Sequence, residues 1–183
     1  MFLSRGLDGA GDQGEIDVMI EAVPGSPWWR GARGEWYVVI QIALFILVVF
    51  GPRHVGGVDW ASSLAPVASA VGVVLMTVGA ALLAWALGKL GRNLTPLPYP
   101  KDDGTLVQTG AYRFVRHPIY TGGVALAIGW AFCAHGILTL GYAVMLFVLF
   151  DVKSRREERW LVAKFPEYPA YQKRVRRLIP FVY

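Results

Sequence analysis

Two groups of side chains in this sequence have the types and spacing for chemistry. The first is Arg116-His117-Pro118-Ile119-Tyr120, immediately ahead of a long uncharged stretch. Pro118 suits the first position of a helix, because its missing N–H would have no partner there in any case. His117 then stands at the helix mouth, with Tyr120 three residues on and on much the same face. Free N–H groups at a helix start receive a carboxylate or another anion, so this point can hold the acidic part of a ligand. The second group is Arg156-Glu157-Glu158, with Glu157 lying 40 residues beyond His117. Adjacent carboxylates on a helix repel and point in different directions. One can face a cationic ligand while the other pairs with Lys153, Arg155 or an arginine of the tail. Trp160, Leu161 and Phe165 give the same helix apolar anchors.

Each feature also has a plainer reading. His117 fits an interfacial hydrogen-bonding residue, Tyr120 an aromatic-belt residue, and Glu157-Glu158 a solvated helix surface. His135 reads as the polar turn of a hairpin. These residues propose a ligand mouth without naming the ligand.

The elements that must bring the two groups together are apolar. Of 183 residues, 55% are hydrophobic and only 17% charged, below the roughly 25% usual in soluble domains. That excludes a disordered chain and an ordinary water-soluble enzyme. A single cysteine, Cys133, excludes an intramolecular disulfide framework and a cysteine-based zinc site. The net charge of +5 sits at the flanks of apolar runs. It fits lipid headgroups rather than nucleic acid.

Residues 36–52 are uncharged and rise about 26 Å as a helix, near the short limit for a span. Residues 60–88 form a second run, with Pro66 in an early turn. Its Gly72, Gly79 and Gly88 would admit a close neighbour. Residues 117–150, with only His117 and His135 titratable near neutral pH, are too long for one span and break at Ala134-His135-Gly136. They read as helices near 118–134 and 137–152, the second continuing past Asp151.

The expected fold is therefore an all-α integral membrane protein with four transmembrane helices. It has a helical hairpin at 118–152 and a cytoplasmic C-terminal helical segment. Residues 1–34 are expected to be a flexible or interfacial lead, with Val18, Met19, Ile20 and Val23 as anchors. Residues 35–88 hold two spans, and 89–183 form the catalytic region. Prolines 96, 98 and 100 exclude a continuous helix between the second and third spans. Basic residues crowd that segment (Lys89, Arg92, Lys101, Arg113, Arg116) and the one after the fourth span, whereas the opposite loop offers Arg53. Positive-inside bias puts both termini in the cytoplasm, and the site with them. Trp28, Trp29, Trp36 and Tyr37 cluster where the first span would meet headgroups.

The stretch LVQTGAYRFVRHPIYTGG resembles the signature of the isoprenylcysteine carboxyl methyltransferase family and the related membrane phospholipid N-methyltransferases. The stretch REERWLVAKFPEYPAYQKRVRRLIPF is similar to the family's second half. The likeness covers about residues 88–183. It implies a methyltransferase that uses S-adenosyl-L-methionine, bound in a cytoplasmic-side pocket, and a lipophilic acceptor drawn from the bilayer. By this resemblance His117 and Tyr120 match cofactor-contacting residues, and Glu157 and Glu158 match the glutamate pair that faces or orders the pocket. Arg116 matches the arginine near the acceptor's reacting end. Leu106, Val107 and Gly110 match the approach where the adenosine part is expected, and Asn93 a polar position before it. The resemblance implies no metal and no nucleic acid.

A prenylcysteine-like carboxylate is the expected acceptor, with a phospholipid amine or a small thiol as alternatives. A membrane reductase using NADPH and a four-span binding protein are the competing classes. The four expected spans lack the extra N-terminal helices of larger relatives, and Pro166-Glu167 stands where many relatives carry a glycine and one further residue.

Overall fold

The structure is a computed structural model, and it describes residues 33–56 and 64–183. The expectations for residues 1–32, including Trp28, Trp29 and the interfacial anchors, and for the start of the second run lie outside the described residues. Four long helices follow in chain order: α1 (Glu35–Phe50), α2 (Ala65–Leu90), α3 (Pro118–Cys133) and α4 (Ile137–Lys164). A short α5 (Tyr168–Arg174) and two single 3₁₀ turns, Gly91–Asn93 and Gly110–Arg113, complete the described fold. It is all-helical. Apart from helices, an isolated backbone bridge joins Val115 to Arg176.

The local reasons match the sequence. Pro66 and Pro118 sit in the first turns of α2 and α3, where no N–H is required. The α3–α4 turn is made by His135 in the left-handed region (φ 51°). His135 Nε2 lies 3.0 Å from Ser69 Oγ and 3.2 Å from the Ala65 carbonyl, so this polar turn also ties the hairpin to the start of α2. α4 runs well past Asp151, as its short apolar part requires.

Helices α2 and α3 pack through glycine. A Cβ on Gly72 would lie 2.6 Å from the Gly129 carbonyl oxygen, and one on Gly129 2.7 Å from that of Gly72. Two turns along, Gly79 and Gly122 face each other at 2.9 and 2.8 Å by the same measure. The antiparallel helices thus meet backbone to backbone at two points. Gly88 is different: a Cβ there meets nothing within 4 Å, because nine residues after Gly79 it lies about 180° round the helix from the stripe that Gly72, Gly79 and the buried Ala86 share. The expectation that Gly88 admits a neighbour is corrected accordingly.

A second contact layer joins α1, α3 and α4 through Leu44, Val48, Val124, Ala127, Leu146 and Phe150. Outward, Val67, Val73, Val74 and Val78 of α2 and Ile42 and Ile46 of α1 are exposed. A soluble monomer rarely shows so extended an apolar face. By length and composition, α2 with its 3₁₀ extension and α4 can cross a membrane, while α1 and α3 are shorter apolar helices.

Candidate active site

The α3–α4 hairpin returns the chain to its starting side, and the two sequence groups meet there. Tyr120 donates its hydroxyl to Glu157 Oε2 at 2.8 Å, and His117 Nδ1 lies 3.7 Å from the same oxygen. His117 Nε2 is 3.1 Å from Glu158 Oε1. The imidazole and phenol rings are parallel, with centroids 5.4 Å apart, and Phe150 stacks on Tyr120 at 4.6 Å.

The two glutamates are used differently. Glu158 is buried and accepts four hydrogen bonds: Arg116 Nε at 2.7 Å and His117 on Oε1, Arg116 Nη2 at 3.1 Å and Gln172 Nε2 at 3.0 Å on Oε2. That fills the lone-pair capacity of a carboxylate. Its partner is Arg116, ahead of α3. This corrects the expectation of Lys153, Arg155 or a tail arginine: the fold puts the helix mouth against this face of α4, and the tail contributes Gln172 there and not an arginine. Glu157 engages only Oε2, and its Oε1 has no hydrogen-bond partner among the described residues.

Arg116 is committed as fully as Glu158. Besides the bidentate pair, its Nη1 donates to the carbonyls of Gln172 (3.1 Å) and Val175. Four of its five N–H groups are therefore engaged, fixing α4, α5 and the residue after α5 to the start of α3. Lysine, a point charge without the fork, cannot reproduce this. Arg116→Lys should lower stability by about 1–3 kcal/mol, read as a drop in the thermal unfolding midpoint of the purified protein.

Glu157, His117, Tyr120 and Arg116 line one cavity of about 680 Å³, within the roughly 300–1,000 Å³ typical of small-molecule sites. Leu106, Val107 and Asn93 are on its wall; Gly110 and Glu158 are not among its lining residues. The Asn93 side chain holds the loop instead, accepting from Thr105 N at 3.0 Å and donating to Thr105 Oγ1 at 3.3 Å. Gly110 has φ 64°, and a Cβ there would press on Lys89, so glycine is required for backbone reasons. The cavity continues down between the helices, past Phe45, Val48, Met76, Leu126 and Trp130.

Several lining groups escaped the sequence reading. Lys153, 2% exposed, sits at the polar end and donates to Gln41 Oε1 at 2.8 Å and to the Pro96 carbonyl at 3.0 Å. Its Nζ lies 5.2 Å from the centroid of the Tyr120 ring. The sequence held two signals for it: Lys153 is one turn before Glu157 on α4, and Gln41 is a polar residue inside an apolar run. Tyr112, Tyr168 and Tyr171 also line the cavity, and burial pushes all three hydroxyls well up, which keeps them protonated.

This geometry agrees with what comparison finds. A family model described as phospholipid methyltransferase matches residues 67–168, more than half of the chain. The chain belongs to the phospholipid methyltransferase family. The resemblance drawn from the Arg-His-Pro-x-Tyr run and the glutamate pair is thereby borne out. Among similar proteins, the cobalt-zinc-cadmium resistance protein CzcN of Cupriavidus metallidurans is 30% identical over 152 residues, covering 82% of this chain and 64% of that one. The protein-S-isoprenylcysteine O-methyltransferase of Mus musculus is 31% identical over 118 residues, covering 62% and 42%. The chain thus spans less than two thirds of the length of these relatives. A solved structure of the eukaryotic intramembrane Ras methyltransferase ICMT (isoprenylcysteine carboxyl methyltransferase) has the same fold. The TM-score is 0.58 at 20% identity, over 94% of this chain and 63% of that one.

Proposed function

We propose that this protein is an integral membrane methyltransferase. It moves a methyl group from S-adenosyl-L-methionine to a lipophilic acceptor, a carboxylate of the prenylcysteine kind. In this reading α1 to α4 all cross the bilayer, both termini are cytoplasmic, and the cavity opens to the cytoplasm. The observation that carries it is Glu157, whose Oε1 has no hydrogen-bond partner among the described residues, lining a cavity that is polar at one end and apolar at the other.

The residues present fit the donor. Its cationic parts need an anion, which Glu157 supplies, with Tyr120 donating to Oε2 of that carboxylate and His117 Nδ1 3.7 Å from the same oxygen. When bound, the donor supplies an activated methyl on a sulfonium that carries its own leaving group. The protein's part is positioning and exclusion of water. Tyr120, braced between His117 and Phe150, fixes the direction of the Glu157 carboxylate. Arg116 acts as a positioning residue through Glu158. Lys153 has one N–H left after Gln41 and Pro96, and it is the cation that an anionic acceptor group would meet. The apolar walls below take the acceptor's tail. An amine acceptor would instead need a base to remove its proton, a duty that would fall to Glu157.

Incubating the purified full chain with methyl-labelled donor and, separately, a prenylcysteine analogue, phosphatidylethanolamine and a small thiol tests the reaction. Label is expected in the prenylcysteine analogue. Donor binding without label in any acceptor would overturn the transferase reading, and label in the amine or thiol would overturn the acceptor class. Lys153→Met should raise the KM for the anionic acceptor about tenfold or more with donor affinity unchanged, since it removes one charge-assisted hydrogen bond.

A further inference from the structure

Residues 175–183 run back across the mouth of α3 and hold two site residues by their backbones. Arg116 N donates to the Arg176 carbonyl at 2.8 Å and His117 N to that of Arg177 at 3.1 Å. Thr121 Oγ1, in the first turn of α3, donates to the Leu178 carbonyl at 2.6 Å. The strap then closes into a tight turn, with Val182 N and Tyr183 N donating to the Ile179 carbonyl at 3.1 and 3.0 Å. Phe181 stands in this turn with φ 65°, a left-handed conformation that bulky side chains avoid. Phe181 is 82% exposed and Val182 72% exposed, so packing against the described residues does little to offset that strain.

The height of this turn is fixed by its partners. Tyr183 donates its hydroxyl to Asp151 Oδ1 at 2.9 Å, and Arg177 Nη2 donates to the same oxygen at 2.8 Å. Asp151 is the first charge after the uncharged run of α4. The turn therefore sits where apolar chain gives way to polar, the level of a headgroup layer. Beside the α3 mouth, the exposed rings of Trp85 and Phe114 pack 6.0 Å apart, near Lys89, the first charge after the uncharged run of α2. Arg113 and Arg176 are exposed, and their side chains have no partner among the described residues.

We propose that this strap is a docking surface for the anionic face of a bilayer. Ile179, Phe181 and Val182 enter the boundary between headgroups and acyl chains, and Arg113 and Arg176 meet lipid phosphates. Seating on that surface keeps the strap paired to Arg116 and His117, so the closed state of the site is tuned by lipid charge. Exposed cations without a partner among the described residues, beside exposed aromatics, are the complement of an anionic interface and not of a neutral one. The proposal rests on the reading of the chain as a membrane protein and not on methyl transfer.

Hydrogen exchange of the full chain tests it, in phosphatidylcholine vesicles and in equimolar phosphatidylcholine–phosphatidylglycerol vesicles. The amides of Arg116 and His117 should exchange about tenfold more slowly with the anionic lipid, as expected if local opening of the strap is suppressed. High salt should remove that difference, since surface charge is screened. Phe181→Asp and Arg113→Glu, neither of which touches the cavity, should each remove most of it. Equal exchange in both vesicles overturns the proposal, as does an undiminished difference in both variants. Donor binding measured on the same samples reports on the transferase reading separately: intact binding with equal exchange sinks the strap alone.

Discussion

Glu157→Gln will weaken donor binding roughly ten- to a hundredfold and leave the fold intact, whereas Glu158→Gln will unfold the site. The neighbours differ by one position and share a helix, but their surroundings are opposite. Glu157 lines the cavity with one carboxylate oxygen that has no partner among the described residues, and an amide there removes the charge that meets a cation. Removing a charge-assisted hydrogen bond from an enclosed site costs about 1.5–3 kcal/mol, or roughly ten- to a hundredfold in affinity. Glu158 meets four donors, two on each oxygen. A glutamine would turn an N–H₂ group toward two of them and leave the buried Arg116 guanidinium without its counter-charge. Breaking a buried pair from one side costs about 3–5 kcal/mol. Calorimetric titration with the donor and thermal unfolding in the same detergent separate the two effects. A stable Glu158→Gln protein that binds donor normally would show that the network around Arg116 is not what holds the site.

Gly122→Leu is expected to cost more activity than any substitution of a surface side chain. A Cβ at Gly122 would come within 2.8 Å of the Gly79 carbonyl oxygen and 3.2 Å of Leu83 N, both backbone atoms that cannot rotate away. Overpacking of this kind costs about 1–3 kcal/mol or more, and relief requires α3 to move off α2. Since Tyr120 lies two residues before Gly122, that displacement changes the register of Tyr120 and His117 against Glu157 on α4. A misplacement of about 1 Å can cost on the order of a hundredfold in rate. Gly88→Leu, which meets open space, is the control and should be indistinguishable from the parent in unfolding midpoint and transfer rate. Equal behaviour of the two variants would mean that the glycine contact between α2 and α3 does not set the site.

The local features were legible because each has a local cause. Uncharged runs, Pro66 and Pro118 at helix starts, the break at Ala134-His135-Gly136 and the proline-rich loop follow from backbone chemistry that neighbouring residues determine. The pairing of the Arg116–Tyr120 run with the glutamate pair was legible too. A hairpin of two short apolar helices must return the chain to its starting side.

Choice among partners was not legible. Lys153 and Glu157 are one turn apart on α4 and Glu158 is next to Glu157, yet one lines the cavity beside Gln41 and another is locked to Arg116. Rotation of α4 by a single residue would exchange the glutamates, and that rotation is set by the packing of Leu146 and Phe150 against α1 and α3. The glycine pairs tell the same story. Gly72 and Gly79, seven residues apart, share a face of α2 that Gly88 does not, but that this face meets Gly129 and Gly122 of α3 is fixed by long-range contact. Composition and spacing determined which elements form and on which side the reactive groups gather. Only the packed helices decided which side chain faces the cavity and which holds its wall, since those depend on helix rotation and depth, quantities that no short stretch of sequence encodes.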